Sequence, residues 1–345
     1  MTSYNHPGCI REDVEKGTLM RRIIARYGLL CFALALFSLL GSHAIFAKEY
    51  PTKPITLIVP SGPGSATDII MRAVTSAATE YLGQPIIVKL VPGGGGAIGS
   101  DAASKSPADG YTLLAGSSSW STGLPAIEGR SKGPDDFVAV CRINYSPTFL
   151  LSRPDAPFKT FRQMMEWIKA NPGKLTASNP GPWTPPDVIW KYLMKTTGTS
   201  FRIVPFQGGG EATVALLGGH VDAGTAIPSM ALPYKGTGKV NFLVFLDEKR
   251  HPDFPDVPTS AEEGLDKGLN TLGCAWRGIL APKGAPAPVV EKLAVTFKKM
   301  TENKSVQDLV QKAGEKIYYL DSKEFRKIWE SEYEAYKDLG KIYKK

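Results

Sequence analysis

Hydroxyls and glycines at the ends of apolar runs are the residues whose types and spacing could do chemistry in this chain. Ile55-Thr-Leu-Ile-Val59 breaks into Pro60-Ser-Gly-Pro-Gly-Ser-Ala-Thr-Asp68 and restarts with helical spacing through Arg72. The segment reads as strand, tight loop and helix. A loop so poor in side chains leaves backbone N–H groups uncovered at a helix N-terminus, where partial positive charge favours anions. An ordinary strand-to-helix turn has the same composition, so from this segment alone both readings stand. Further on, Gly116-Ser-Ser-Ser-Trp120 follows an apolar run and offers three hydroxyls, Ser117, Ser118 and Ser119.

Other chemistry is weaker or missing. Gly94-Gly-Gly96-Ala-Ile-Gly99 matches the dinucleotide fingerprint literally. That fingerprint wants an acidic residue about 20 positions on to hold a ribose, and here the next strand runs into Gly116 and serines. No Walker A lysine, nucleophile elbow or C-x-x-C pair occurs. His220 and His251 are too few for a metal site and read as solvent-facing turn residues. Ser117 to Ser119 could be nucleophiles, but no base stands near them in sequence. No cofactor is expected.

The elements that must position these loops follow in order. Strands at Gln84–Leu90 and Tyr111–Ala115, with a helix from Ser100 to Ser106, complete an α/β sheet of mostly parallel strands. Ligands in such sheets sit beyond the strands' carboxyl ends. The strands Phe137–Asn144 and Thr148–Ser152 read as the passage into a second lobe. There Leu175–Ser178 precedes the Pro-rich loop Asn179-Pro-Gly-Pro-Trp-Thr-Pro-Pro186, and Arg202–Phe206 precedes Gln207-Gly-Gly-Gly-Glu211. Leu272–Leu280 reads as a long strand returning to the first lobe. An amphipathic helix spans Pro288 to Ala313. The last helix opens with Asp321-x-x-Glu324 and carries Phe325, Ile328, Trp329, Tyr336, Leu339 and Tyr343 near one face.

The chain has 345 residues, 43% of them hydrophobic, enough for two compact lobes. Its net charge of +8, from 41 basic and 33 acidic residues, is spread along the sequence, which does not indicate nucleic-acid binding. Met20-Arg-Arg22 precedes the apolar run Tyr27–Leu40, and Ala47 is a plausible cleavage position. The run is short for a membrane span, which needs about 20 residues. Residues 1–47 thus read as an N-terminal extension and signal peptide, and the protein as exported to the periplasm. Beyond Ala47, Cys141 and Cys274 could pair or stay as buried thiols.

With these elements in place, the chain resembles the Bug-type receptors, the periplasmic substrate-binding proteins of tripartite tricarboxylate transporters, over residues 49–345. The ordered set carries the resemblance: Tyr50-Pro-x-Lys-Pro-Ile, Pro60 to Arg72, Pro92-Gly-Gly-Gly-Gly with Ile98-Gly99, and Asp109-Gly-Tyr-Thr-Leu-Leu. It continues through Val204-Pro-Phe-Gln-Gly-Gly-Gly, Leu217-Gly-Gly-His-Val-Asp222, Pro255-Asp-Val-Pro-Thr and Trp276 to Pro282. The resemblance implies a two-lobed type II periplasmic-binding-protein fold, a Venus flytrap with crossing hinge strands. Lobe 1 would be 48–148 with 270–345, and lobe 2 would be 149–269. It also implies no catalysis, a small organic carboxylate as ligand (dicarboxylate, amino acid or aromatic acid), membrane transporter subunits as partners and a monomer. Carried over by position, first-lobe contacts fall on Ser61, Gly62, Gly64, Ser65, Asp68 and Ser117 to Ser119. Second-lobe contacts fall on Ser178, Asn179, Gly181, Trp183, Thr184, Gln207, Gly208, Gly209 and Gly210. Asp68 is better read as a cap and loop brace, since like charges repel. Trp183 departs from the family pattern, and its ring suits an aromatic or bulky carboxylate by stacking. The alternatives are an exported α/β hydrolytic enzyme and a ligand-sensing domain for a signalling partner.

Overall fold

The computed structural model describes residues 50–206, 208–265 and 267–343. The expected signal peptide, its cleavage near Ala47 and the expected contact Gln207 lie outside the described residues. Among the described residues, eleven strands form two sheets. They are β1 (Ile55–Val59), β2 (Ile86–Leu90), β3 (Thr112–Ser117), β4 (Phe137–Ser146), β5 (Phe149–Ser152), β6 (Thr176–Asn179), β7 (Arg202–Pro205), β8 (Ala223–Ala226), β9 (Asn241–Phe245), β10 (Ala275–Pro282) and β11 (Ile317–Leu320). The first sheet has the order β11-β4-β10-β3-β1-β2 and the second β7-β6-β8-β5-β9. Parallel pairing is confined to β2-β1-β3 and to β7-β6-β8. The strands that cross between lobes, β4, β5, β9 and β10, pair antiparallel. The sheets are therefore mixed rather than mostly parallel, because each chain that leaves a lobe must come back through it.

The two crossings run side by side. Pro147 and Thr148 join β4 to β5, and the return segment ends at Gly273 and Cys274 before β10. The Thr148 hydroxyl donates to the Gly273 carbonyl (2.8 Å), and Leu246 N–H donates to the Thr148 carbonyl (2.9 Å). Cys274 and Cys141 are free, buried thiols, and burial pushes both well above the ordinary thiol range.

Side chains along β10 alternate between faces. Trp276 packs edge-on against Phe325 and Trp329 of helix Ser322–Tyr343, with ring centroids 5.0 and 6.0 Å apart. Arg277 points the other way and reaches Thr67 in helix Ala66–Thr75 (3.2 Å). The helix after β1 and the C-terminal helix hence cover opposite faces of the first sheet. The π-helical segment Ser118–Glu128 after β3 joins the C-terminal face, where the Trp329 indole donates to the Ser121 carbonyl (3.0 Å). The chain thus leaves β1 toward one face and β3 toward the other. This is the topological switch at which open α/β sheets form a ligand crevice.

Three local expectations change. The helix expected over Pro288 to Ala313 is two helices, Ala287–Glu302 and Lys304–Lys312. Asn303 between them is extended, and its side chain accepts from Ser305 and Val306 N–H groups, capping the second helix. Ile328 is 39% exposed, while Phe325, Trp329, Tyr336 and Leu339 are buried. His251 lies in an aromatic cluster with Phe149, Phe245 and Phe254 rather than in solvent. Burial first, then Lys316, holds its imidazole below the ordinary range. His220 is exposed.

Glu332, on the C-terminal helix, is buried beneath Trp276, whose indole donates to its carboxylate, as does Thr122 (3.4 Å). Its other oxygen has no partner. Burial outweighs both bonds and pushes the carboxyl up to about 8. With the folded-state value raised, the folded protein holds a proton that the unfolded chain releases at lower pH. Stability is therefore lost as pH rises from the ordinary Glu range toward 8. Glu332→Gln removes this slope: its melting temperature relative to the parent rises between pH 5 and pH 8, and a pH-independent difference would contradict the assignment.

Candidate anion-binding site

In the loop after β1, Ser65 is the N-cap of helix Ala66–Thr75, and its hydroxyl accepts from Asp68 N–H (3.2 Å). The Asp68 carboxylate reaches back to Gly64 N–H (2.9 Å) and also receives Arg72 Nε (2.7 Å). Ser61 and Ser65 hydroxyls are bonded at 2.7 Å. Asp68 is 5% exposed and braces the loop from inside. Gly64 has φ +73°, so it permits the turn, and its N–H is spent on Asp68 rather than on a ligand. Ser65 N–H donates to the Gly62 carbonyl (3.3 Å). The donors left at the helix start are those of Ala66 and Thr67, which by helix geometry have no intrahelical acceptor.

The loop after β3 is tighter than the sequence suggested. β3 continues through Ser117, whose hydroxyl accepts from Ser119 N–H (3.3 Å), and helical winding begins at Ser118. Ser118 is fully buried and its hydroxyl has no hydrogen-bond partner. A buried hydroxyl left without a partner costs about 1–3 kcal/mol, which marks a place where a ligand oxygen would be welcome.

Arg277 is the residue that sequence reasoning missed. It pairs with Ser117 across β10 and β3 and is 5% exposed. Nε donates to the Thr67 hydroxyl (3.2 Å), and Nη1 donates to Asn144 Oδ1 (3.4 Å) and the Ser146 hydroxyl (3.2 Å). Glu315 stands 3.8 Å from Nη1. Burial lowers the guanidinium pKa and Glu315 partly restores it, yet an arginine keeps its proton. The available signal was one charged residue inside the apolar run Ala275–Pro282.

In the second lobe, β6 and β7 are parallel neighbours, and Phe206 N–H donates to the Asn179 carbonyl (2.8 Å), so their two loops lie side by side. Asn179 accepts from Gly181 N–H (2.9 Å) and donates to Asp187 (2.9 Å). Thr184 donates to the Gly181 carbonyl (2.8 Å). Asp187 also takes Trp183 N–H (2.8 Å) and Lys191 (2.6 Å). Ser178 is buried, and its carbonyl accepts from Trp190 (3.0 Å). Gly208 is the N-cap of helix Gly209–Leu217, which opens with Gly209 and Gly210, and Gly209 lies against Met230.

Trp183 does not offer its ring to the cleft. Its φ of +57° turns the indole into a cluster with Ile127, Val188, Leu272 and Tyr336, leaving it 9% exposed. Lys191 Nζ covers the ring at 3.6 Å from the centroid. The stacking expected from sequence is replaced by packing of the second-lobe loop on first-lobe helices. Gly123 shows how closely they meet, since a Cβ there would stand 2.4 Å from the Trp183 carbonyl oxygen.

A cavity of about 400 Å³ lies at the hinge, lined by Arg142, Tyr145, Phe245, Asp247, His251 and Glu315 among others. None of the candidate loops after β1, β3, β6 and β7 lines it, so this cavity and the ligand chemistry point to different places. We assign the site by chemistry, because helix-start donors, hydroxyls and a buried cation meet at the β1–β3 switch.

The family model described as "Tripartite tricarboxylate transporter family receptor" matches residues 70–343. Protein BugT of Bordetella pertussis is 31% identical over 277 residues, covering 78% of this chain and 83% of that protein. A Cupriavidus necator protein, described by its place in the gbd 5' region, is 32% identical over 311 residues, covering 88% and 92%. A TctC solute-binding protein from Polaromonas, solved without ligand, superposes with a TM-score of 0.72 at 30% identity, covering 84% of this chain and 98% of that one. MatC from Rhodopseudomonas palustris, solved with bound malate, gives 0.71 at 26% identity, covering 84% and 100%. The fold is accordingly that of the two-lobed periplasmic solute-binding proteins, and the hydrolase alternative falls away. The chain belongs to the tripartite tricarboxylate transporter receptor family, whose members are solute-binding receptors and not enzymes.

Proposed function

We propose that this chain captures a small organic carboxylate in the periplasm, as a monomer exported by its N-terminal signal peptide, and delivers it to the membrane subunits of a tripartite tricarboxylate-type transporter. Delivery to a transporter is preferred to signalling because the family match is to a transporter receptor. The observation that carries the ligand class is Arg277. Its hydrogen bonds go to neutral oxygens of Thr67, Asn144 and Ser146, beside the first turn of helix Ala66–Thr75. Its positive field and the helix dipole add at that point, favouring an anion. Ser61, Gly62, Ser65 and Ser117 to Ser119 line the first-lobe side of this reading. Asn179, Gly181 and Thr184 with Gly208 to Gly210 line the second, and Trp183 and Asp187 hold the second-lobe loop in place. The ligand's carboxylate accepts from the Ala66 and Thr67 N–H groups and from the Ser118 hydroxyl. The malate held by MatC belongs to the same ligand class.

In a thermal-shift series with malate, succinate, glutamate and benzoate, at least one carboxylate raises the melting temperature by linkage; a flat series would overturn the ligand class. Ser118→Ala separates binding from folding. The ligand-free variant melts at or above the parent's temperature, because the hydroxyl it removes has no partner, while affinity for the active carboxylate falls about fivefold, the worth of one hydrogen bond. Unchanged affinity in calorimetry would remove Ser118 from the site.

A further inference from the structure

Glu315 is a buried carboxylate on the first lobe, 4% exposed, that reaches across to the second lobe. One oxygen accepts from the hydroxyl of Ser229 in helix Pro228–Ala231 of the second lobe (2.7 Å). The other accepts from Asn144 Nδ2 (3.0 Å) and from the Ser146 hydroxyl, the same two side chains that accept from Arg277. The preceding residue, Gly314, has φ +74°, and a Cβ there would stand 2.7 Å from Ser229 Cα, so the two lobes touch at this point without intervening side chains. At the far end of the cluster, Arg277 donates to Thr67 in the first turn of the helix that carries the loop.

We infer that Glu315 and Arg277 are positioning residues that couple closure of the second lobe to the order of the anion loop. Ser229 fixes Glu315 when the lobes meet. Glu315, with Asn144 and Ser146, fixes the guanidinium, and the guanidinium fixes Thr67 and with it the N–H groups of the helix start. When the lobes part, Glu315 loses the Ser229 bond and the Arg277 cluster loses one of its restraints, so the loop loosens as the ligand leaves. The inference rests on the reading of the 60–68 loop as the anion holder. Its mechanical content is testable without any ligand.

The test is hydrogen exchange of the ligand-free full chain, read in peptides covering residues 61–72, with the radius of gyration from X-ray scattering measured in parallel. Ser229→Ala removes one hydroxyl on the opposite lobe, and Glu315→Gln keeps the shape while removing the charge. Both raise exchange in 61–72, Ser229→Ala by about fivefold, as expected for loss of one hydrogen bond, and both increase the radius of gyration. Thr160→Ala, which removes the cap of helix Phe161–Ala170 in the same lobe as Ser229, leaves 61–72 unchanged. Exchange in 61–72 that stays at the parent's rate in Ser229→Ala would overturn the coupling, whatever the carboxylate series shows. A negative carboxylate series with coupled exchange would instead leave the relay standing and remove the ligand class.

Discussion

A buried guanidinium cannot shed its proton, and taking it out of water costs several kcal/mol unless oxygens surround it. Around Arg277 that constraint decides what the neighbouring positions hold. Thr67, Asn144 and Ser146 supply neutral oxygens, and Glu315 supplies charge at 3.8 Å without a direct hydrogen bond. The acid's own oxygens are occupied by Asn144, Ser146 and Ser229. The cation is thus held in place with Glu315 as its counter-charge, at the β1–β3 switch where helix-start N–H groups already favour negative charge. In the proposed function, a small carboxylate would complete this arrangement without a side chain being devoted to it alone.

The same polar groups sit where the lobes meet. Ser146 is the last residue of β4, one step before the crossing at Pro147 and Thr148, and Ser229 belongs to the second lobe. On the other side of the hinge strands, Trp183 packs against Ile127 and Tyr336. One contact between lobes is polar and tied to the anion loop; the other is apolar and tied to the second-lobe loop through Asp187. The lobes are joined near both halves of the proposed site, so ligand capture and lobe closure, as proposed, would draw on overlapping residues.

The loops were legible in the sequence because glycine, proline and hydroxyl residues at strand ends have local causes: φ beyond the reach of other residues, capping, turn formation. Asp68 could be read as a brace for that reason, its partners Gly64, Ser65 and Arg72 all lying within four positions. Arg277 was not legible, because its partners stand 210 and 133 positions away at Thr67 and Asn144. Trp183 looked like a ligand platform since a ring in a Pro-Gly loop has no local partner, and only the fold brings Tyr336 to it. His251 was misplaced similarly, two of its three aromatic neighbours, Phe149 and Phe245, coming from β5 and β9. The break at Asn303 had a local signal, an Asn able to cap the helix that follows, which the apolar spacing on both sides concealed.

The proposed position of the carboxylate is the first-lobe helix start, beside Arg277. Backbone amide chemical shifts during titration with whichever carboxylate shifts the melt most test it directly. Amides of Ala66, Thr67, Ser118 and Ser119 should move together and saturate at one ligand per chain. Shifts confined to residues 247–251 and 314–318, around the hinge cavity, would contradict it.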